Sequence, residues 1–264
     1  MNLDKQTADL IELHNFFAQT KYGQSLVKNI RYGRYKPEHW SNEKWEEVLG
    51  IDVNNLRHLL NILMFTKEFV ETAEGMFSEK TKSILLLSAV THDWGEAVVG
   101  DIITDLKTGE QEKKELIAFR EVASETLSLY KEKEYYATMN SVEDVIFSDS
   151  FLHSVFKNVV EELAALTTAI RAWQEAKNYP AEASYLQWIS VNVFVYIHKP
   201  LKWAGYFELV PKFFAANRDV ITEIFTAMPT PVFEHYNYDL KEKAQKIEMF
   251  EKAKTLWFQA QYAN

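Results

Sequence analysis

The chain of 264 residues contains no cysteine. That absence removes disulfide frameworks, thiolate zinc sites and a cysteine nucleophile together. Any metal must therefore be held by nitrogen and oxygen ligands. Lack of cysteine also fits a reducing compartment, though it does not require one. Glycine and proline are scarce, at 8 and 6 residues, and so little punctuation disfavours a sheet of many short strands joined by turns. No Gly-rich phosphate loop is present, which argues against a kinase or P-loop ATPase. A Gly-x-Ser-x-Gly elbow and a His-Glu-x-x-His pair are missing as well. The net charge is −9, and no run of Lys and Arg offers the basic face that duplex nucleic acid requires. A small phosphorylated substrate needs only one local cationic pocket and is not excluded. No apolar window reaches about 18 residues, so no membrane span is expected. The opening Met1-Asn-Leu-Asp-Lys-Gln lacks a basic start followed by an apolar stretch, so no secretory signal is expected and a cytoplasmic location is the default.

What the chain does have is apolar mass. Hydrophobic residues make up 47% and aromatics 14%, a globular composition, and this length buries a sizeable core without staples. The apolar residues recur with helical spacing. In 53–70, Leu56, Leu59, Leu60 and Leu63 follow the i, i+3, i+4, i+7 pattern. The stretch 79–93 carries Ile84, Leu85, Leu86, Leu87, Ala89 and Val90. It is apolar nearly all round, as for a helix inside a bundle, with Gly95 where such a helix would stop. Residues 110–130 read as a charged, amphipathic outer helix. Further helices are expected at 155–177 and 181–197, around Tyr179-Pro180, and at 207–228 and 238–260. Asp52 and Ser78 stand where N-caps would, and Tyr32–Gly50 is the least regular early stretch. With no repeat, low-complexity segment or linker, the expectation is one all-α domain over 1–264. Its core would span about residues 30–210, with helical extensions at both ends, the C-terminal one being 211–264.

Seven histidines could carry chemistry: His14, His39, His58, His92, His153, His198 and His235. His92 has the most informative neighbours. It ends the apolar helix and is followed at once by Asp93. Successive helical residues diverge by about 100° and cannot share a face. The two side chains converge on one ion only if the helix unwinds there, for which Gly95 is suited. Imidazole and carboxylate together suit Mn, Fe, Co or Zn, and ionisable groups ending a buried helix need a compensating partner. Taken alone, the pair is equally a backbone-bonded histidine beside a turn-capping aspartate.

The longer string His92-Asp-Trp-Gly-Glu-Ala-Val-Val-Gly-Asp-Ile102 resembles the central motif of the HD-domain superfamily. It is most similar to the branch of metal-dependent phosphohydrolases that includes 5′-deoxynucleotidases, where His-Asp-x-x-Glu-x-x-x-Gly-Asp-Ile recurs. The likeness covers about residues 30–210, and only the central string is sharp. It implies an HD-type helical bundle and a divalent transition metal (Mn, Co, Fe or Zn) held by His58, His92, Asp93 and a downstream ligand. His58, in Asn54-Asn-Leu-Arg-His, falls where the family places its first ligand; beside Ile62 and Phe65 it also reads as a core histidine. The last ligand is usually an aspartate. The best match here puts His198 at that position, in Tyr196-Ile-His-Lys-Pro-Leu. This is a departure, because histidine removes a negative charge from the site. Asp144 and Asp149 are the alternatives.

The resemblance further implies that Glu96 orients or deprotonates the attacking water and that Asp101 is a second catalytic carboxylate. Arg34 would bind the substrate phosphate, with Arg31 and Arg57 as rivals. The implied activity is release of phosphate from a nucleotide or deoxynucleotide monophosphate by metal-activated water. Two other readings stand beside it: a catalytically silent HD fold that binds a ligand or partner, kept open by the missing aspartate, and an HD-fold metal oxygenase. Residues 130–158 read as an insertion, available either to cover the site or to form a homodimer surface.

Overall fold

The computed structural model describes residues 2–50, 53–100, 107–130, 133–227 and 240–260. Its helices, in chain order, are α1 (Leu3–Ala18), α2 (Lys21–Leu26), α3 (Asn42–Leu49), α4 (Asn55–Thr72), α5 (Glu79–Thr91), α6 (Glu96–Val99), α7 (Gly109–Leu129) and α8 (Lys133–Phe147). They continue with α9 (Phe151–Val155), α10 (Glu162–Glu175), α11 (Ala183–Phe194), α12 (His198–Leu201), α13 (Leu209–Ala216), α14 (Arg218–Ala227) and α15 (Leu240–Gln259). A π-helical turn, Phe156–Glu161, follows α9. The fold is all-α: among the described residues the only extended pairing is an isolated bridge between Ile30 and Asn54. None of the described helices is long and apolar enough to cross a membrane.

The packing falls into two compact units, Met1–Arg31 with Ile51–Val160, and Tyr32–Gly50 with Glu161–Asn264. In the first unit α5 is the central helix, packed by α1, α4 and α8. Ile84, Leu85, Leu86, Leu87, Ala89 and Val90 are all buried on it, each large one contributing about 1.5–3 kcal/mol. Its polar residues are satisfied internally. Ser88 donates to the Ile84 carbonyl at 2.8 Å and Thr91 to that of Leu87 at 2.9 Å, which lets hydroxyls sit in a core without orphaned groups. Ser78 caps α5 as expected, accepting from the Thr81 N–H at 3.1 Å. The cap of α4 is Asn54, not Asp52, which lies outside the described residues. The stretch 130–158 belongs to this unit. Its helix α8 packs on α5 and α7 and buries Met139, Val142, Val145 and Ile146.

In the second unit α10 and α11 form the central pair. The stretch Tyr32–Gly50, expected to be irregular, contains a 3-10 turn at Gly33–Tyr35 and the helix α3. Local pattern understated it because α3 is finished by a distant residue. Arg171 donates to the carbonyls of Val48 at 2.7 Å and Glu47 at 3.1 Å, filling the C-terminal acceptors with a cation. Gly50, with φ of 93°, makes the turn out of the helix, and a Cβ there would lie 2.9 Å from Arg171. The expected helix 207–228 is two helices, α13 and α14, separated at Asn217. The C-terminal helix is no loose appendage. Phe250, Ala253 and Trp257 of α15 are buried, and the Trp257 indole donates to Thr222 Oγ1 at 3.1 Å.

Candidate metal centre

The site is built where α4 begins and α5 ends. Asn54 Oδ1 accepts from the N–H groups of Leu56 at 3.1 Å and Arg57 at 3.2 Å. This cap sets the start of α4, so that Asn55 and His58, three residues apart, share its inward face. His14 of α1 bonds the Leu56 carbonyl at 2.9 Å and ties that turn to the core. Opposite, α5 stops at Thr91 with His92 as its C-cap. A tight turn, His92–Gly95, follows, with N–H groups of Trp94 and Glu96 bonded to the carbonyls of Thr91 at 2.9 Å and Asp93 at 3.0 Å.

The helix does give way at the dyad, but not through an unusual glycine backbone. Gly95 has ordinary right-handed angles, φ −62° and ψ −34°. Glycine is required there for closeness: a Cβ would stand 2.7 Å from the Glu115 backbone oxygen and 3.0 Å from its Cγ. Helix α7 thus presses directly on the turn. The buried Glu115 carboxylate is paired in turn with Lys107. Trp94 holds the other side, stacked on Phe17 with ring centroids 4.5 Å apart.

Three side chains converge. His58 and His92 are 3% exposed and Asp93 is 7% exposed. Nε2 of His92 lies 3.3 Å from Nε2 of His58 and 3.3 Å from Asp93 Oδ1, and Asp93 Oδ2 is 3.9 Å from His58 Nε2. Around an ion bound at about 2.0–2.2 Å, neighbouring ligand atoms stand about 3.0–3.5 Å apart, a range that holds both separations of 3.3 Å. His92 Nδ1 donates to the Ala89 carbonyl at 3.0 Å, which leaves the Nε2 of a neutral ring as the lone-pair nitrogen. It points at a second imidazole nitrogen, an approach that a cation between them would stabilise. Two nitrogens and a carboxylate, buried and mutually close, therefore fit a divalent transition metal. Burial alone would push the Asp93 carboxyl up, but when His92 is protonated its charge and hydrogen bond, with His58 and Arg31, outweigh burial and hold the carboxyl well below the usual carboxylate value. Phe156 closes one side, its ring edge-on to His92 at 5.7 Å.

Two polar residues flank the group. Glu96 is buried, and its Oε2 accepts from Asn55 Nδ2 at 2.7 Å, while its carbonyl accepts from Asn29 Nδ2 at 3.3 Å. Arg31 places Nη1 at 3.4 Å from Asp93 Oδ2. Its backbone N–H bonds the Val53 carbonyl at 2.7 Å, beside the Ile30–Asn54 bridge, so the segment is pinned next to the start of α4. Arg57 is exposed on α4, and Arg34 is exposed on the 3-10 turn of the second unit.

The structure thus brings together His58, His92 and Asp93. Glu96 belongs to the same turn through Asn55. Asp101 lies outside the described residues. His198 belongs to the second unit, half-buried on α12, with Nδ1 bonded to the Val195 carbonyl at 3.3 Å. Burial, then Lys202 and Lys199, lower its pKa. Asp144 and Asp149 are both exposed. Sequence reasoning ranked Arg31 below Arg34 and did not name Asn55. Nothing local marks Arg31; Asn55 could have been found as a polar residue one turn before His58 on the face that Leu59 and Ile62 bury. No family model matches the chain, and no match was found among curated proteins or solved structures.

Proposed function

We propose that the chain is a metal-dependent phosphohydrolase of the HD type, acting on a small phosphorylated substrate of the nucleotide or deoxynucleotide monophosphate class. The observation that carries this reading is the buried convergence of His58, His92 and Asp93, one turn before the buried carboxylate of Glu96. Three protein ligands are the usual number for a catalytic rather than a structural ion, since they leave positions open. A divalent ion held by them would supply a water of near-neutral pKa and polarise a phosphoryl oxygen.

The chain's own residues then divide the work. Asp93 and the two imidazoles provide the binding charge and lone pairs. His92 keeps its orientation through Ala89. Glu96 takes the proton of the attacking water, a role worth about 10²–10⁴-fold in rate. Arg31 offers guanidinium donors to the substrate's phosphate. The silent-module reading differs in one measurable respect: it predicts ligand binding without turnover.

Metal analysis of the purified protein, followed by a phosphate-release screen over nucleoside monophosphates with Mn(II) or Co(II), tests the proposal. About one ion per chain and release dependent on that ion are expected. No ion retained after reconstitution, or activity equal in Asp93→Ala and wild type, would overturn it.

A further inference from the structure

Asn55 has no role in the reading so far, yet its surroundings are unusual. It is completely buried in the first turn of α4. Its Nδ2 donates to Glu96 Oε2 at 2.7 Å. An ionised carboxylate only accepts, so the amide must turn its NH₂ group toward Glu96 and its Oδ1 away. That Oδ1 is buried and has no hydrogen-bond partner among the described residues. A buried acceptor left without a partner bears its full desolvation penalty, and an apolar side chain of the same shape avoids it. Packing alone therefore gives no reason for asparagine here.

The placement supplies one. Asn55 and His58 are one turn apart on α4, and Asp93 and Glu96 are three residues apart on the facing turn. The two elements meet twice: once at the imidazole–carboxylate group and once at the Asn55–Glu96 bond. We propose that Asn55 is a positioning residue. Its NH₂ group fixes the rotation of the Glu96 carboxylate, and its Oδ1 accepts a hydrogen bond from a water or hydroxyl taken up with the ligand. This rests on the reading of Glu96 as the general base.

The test is a double-mutant cycle in the full chain loaded with Mn(II): Asn55→Leu, Glu96→Ala and the pair. Metal content, kcat and KM for a nucleoside monophosphate, and urea midpoints are measured for each. Asn55→Leu keeps its metal and lowers kcat about 10- to 100-fold with KM changed less than about threefold. In the Glu96→Ala background it lowers kcat no further. Equal losses in both backgrounds, or a loss of metal, would mark a structural effect and overturn the proposal. If Asn55→Leu does not fold, Asn55→Ala removes the donor without added bulk and should show the same pattern. A wild type that releases no phosphate sinks the hydrolase reading alone. The urea midpoints then decide the pair: Asn55→Leu lowers the midpoint when Glu96 is present and does not lower it in the Glu96→Ala background, whereas equal shifts overturn the coupling.

Discussion

His92 and His198 hold their rings alike in two different units. Each gives its Nδ1 proton to the carbonyl three residues earlier, Ala89 at 3.0 Å and Val195 at 3.3 Å. Each therefore presents Nε2 as an acceptor. Their charge surroundings are opposite. His92 lies against the buried carboxylate of Asp93. His198 has Lys199 and Lys202 near enough to lower its pKa, after burial itself. Lys199 sits 4.4 Å over the Tyr196 ring and 3.1 Å from Glu162. A carboxylate draws a cation in, and ammonium groups oppose it. The two rings thus share a fixed lone pair and differ in the charge beside it.

The largest effect expected from this comparison is at Asp93. Asp93→Ala removes the one carboxylate of the group and should abolish binding of Mn(II) or Co(II), measured as metal content after dialysis. His198→Ala should lower the same affinity by less than about tenfold, below the range usual for residues that tune a metal ligand; a complete loss would show that His198 ligates and that the comparison misjudges it. Two glycines extend the contrast from charge to packing. Gly95→Ala drives a methyl into the backbone of α7 and should cost about 1–3 kcal/mol in urea unfolding. Gly205→Ala, where a Cβ meets nothing within 4 Å, should stay within about 0.5 kcal/mol.

The smallest effect concerns His14, a buried histidine whose burial, partly offset by its bond to Leu56, lowers its pKa below 6.5. The unfolded chain then takes up a proton that the folded chain refuses. Stability is full above about pH 6.5 and falls as pH drops from there toward the lower folded-state pKa, with a slope of at most about 1.4 kcal/mol per pH unit. Urea midpoints between about pH 7.5 and 5.5, a range that brackets the unfolded value, should fall more steeply in wild type than in His14→Gln. Identical slopes would remove His14 as the cause.

The helical class and the helices around the dyad were legible because apolar spacing repeats over several turns. The features that escaped depend on partners far along the chain. Helix α3 needs Arg171 to finish it, and the break at Asn217 interrupts an apolar pattern that continues on both sides. Gly95 shows the limit most clearly: its place near the end of α5 was evident, but the reason for it is α7, which no local pattern reveals. The same holds for the site. His92, Asp93 and Glu96 stand together in one string, and His58 was placed by resemblance. Arg31 and Asn55 join through pairings 62 and 41 residues long.

The contact of Gly95 with α7 also predicts an order of assembly. Helices α4 and α5 can form and pair from nearby segments, bringing His58 and His92 onto neighbouring helices. On this view the turn that folds Asp93 back onto His92 would take its final shape only once the Glu115 backbone has docked beside it. A helix that supplies no ligand would therefore complete the centre. In pulse-labelled hydrogen exchange during refolding, the amides of α5 should become protected first. Those of Trp94 and Glu96 should follow together with α7, and protection of the turn ahead of α7 would reverse this order.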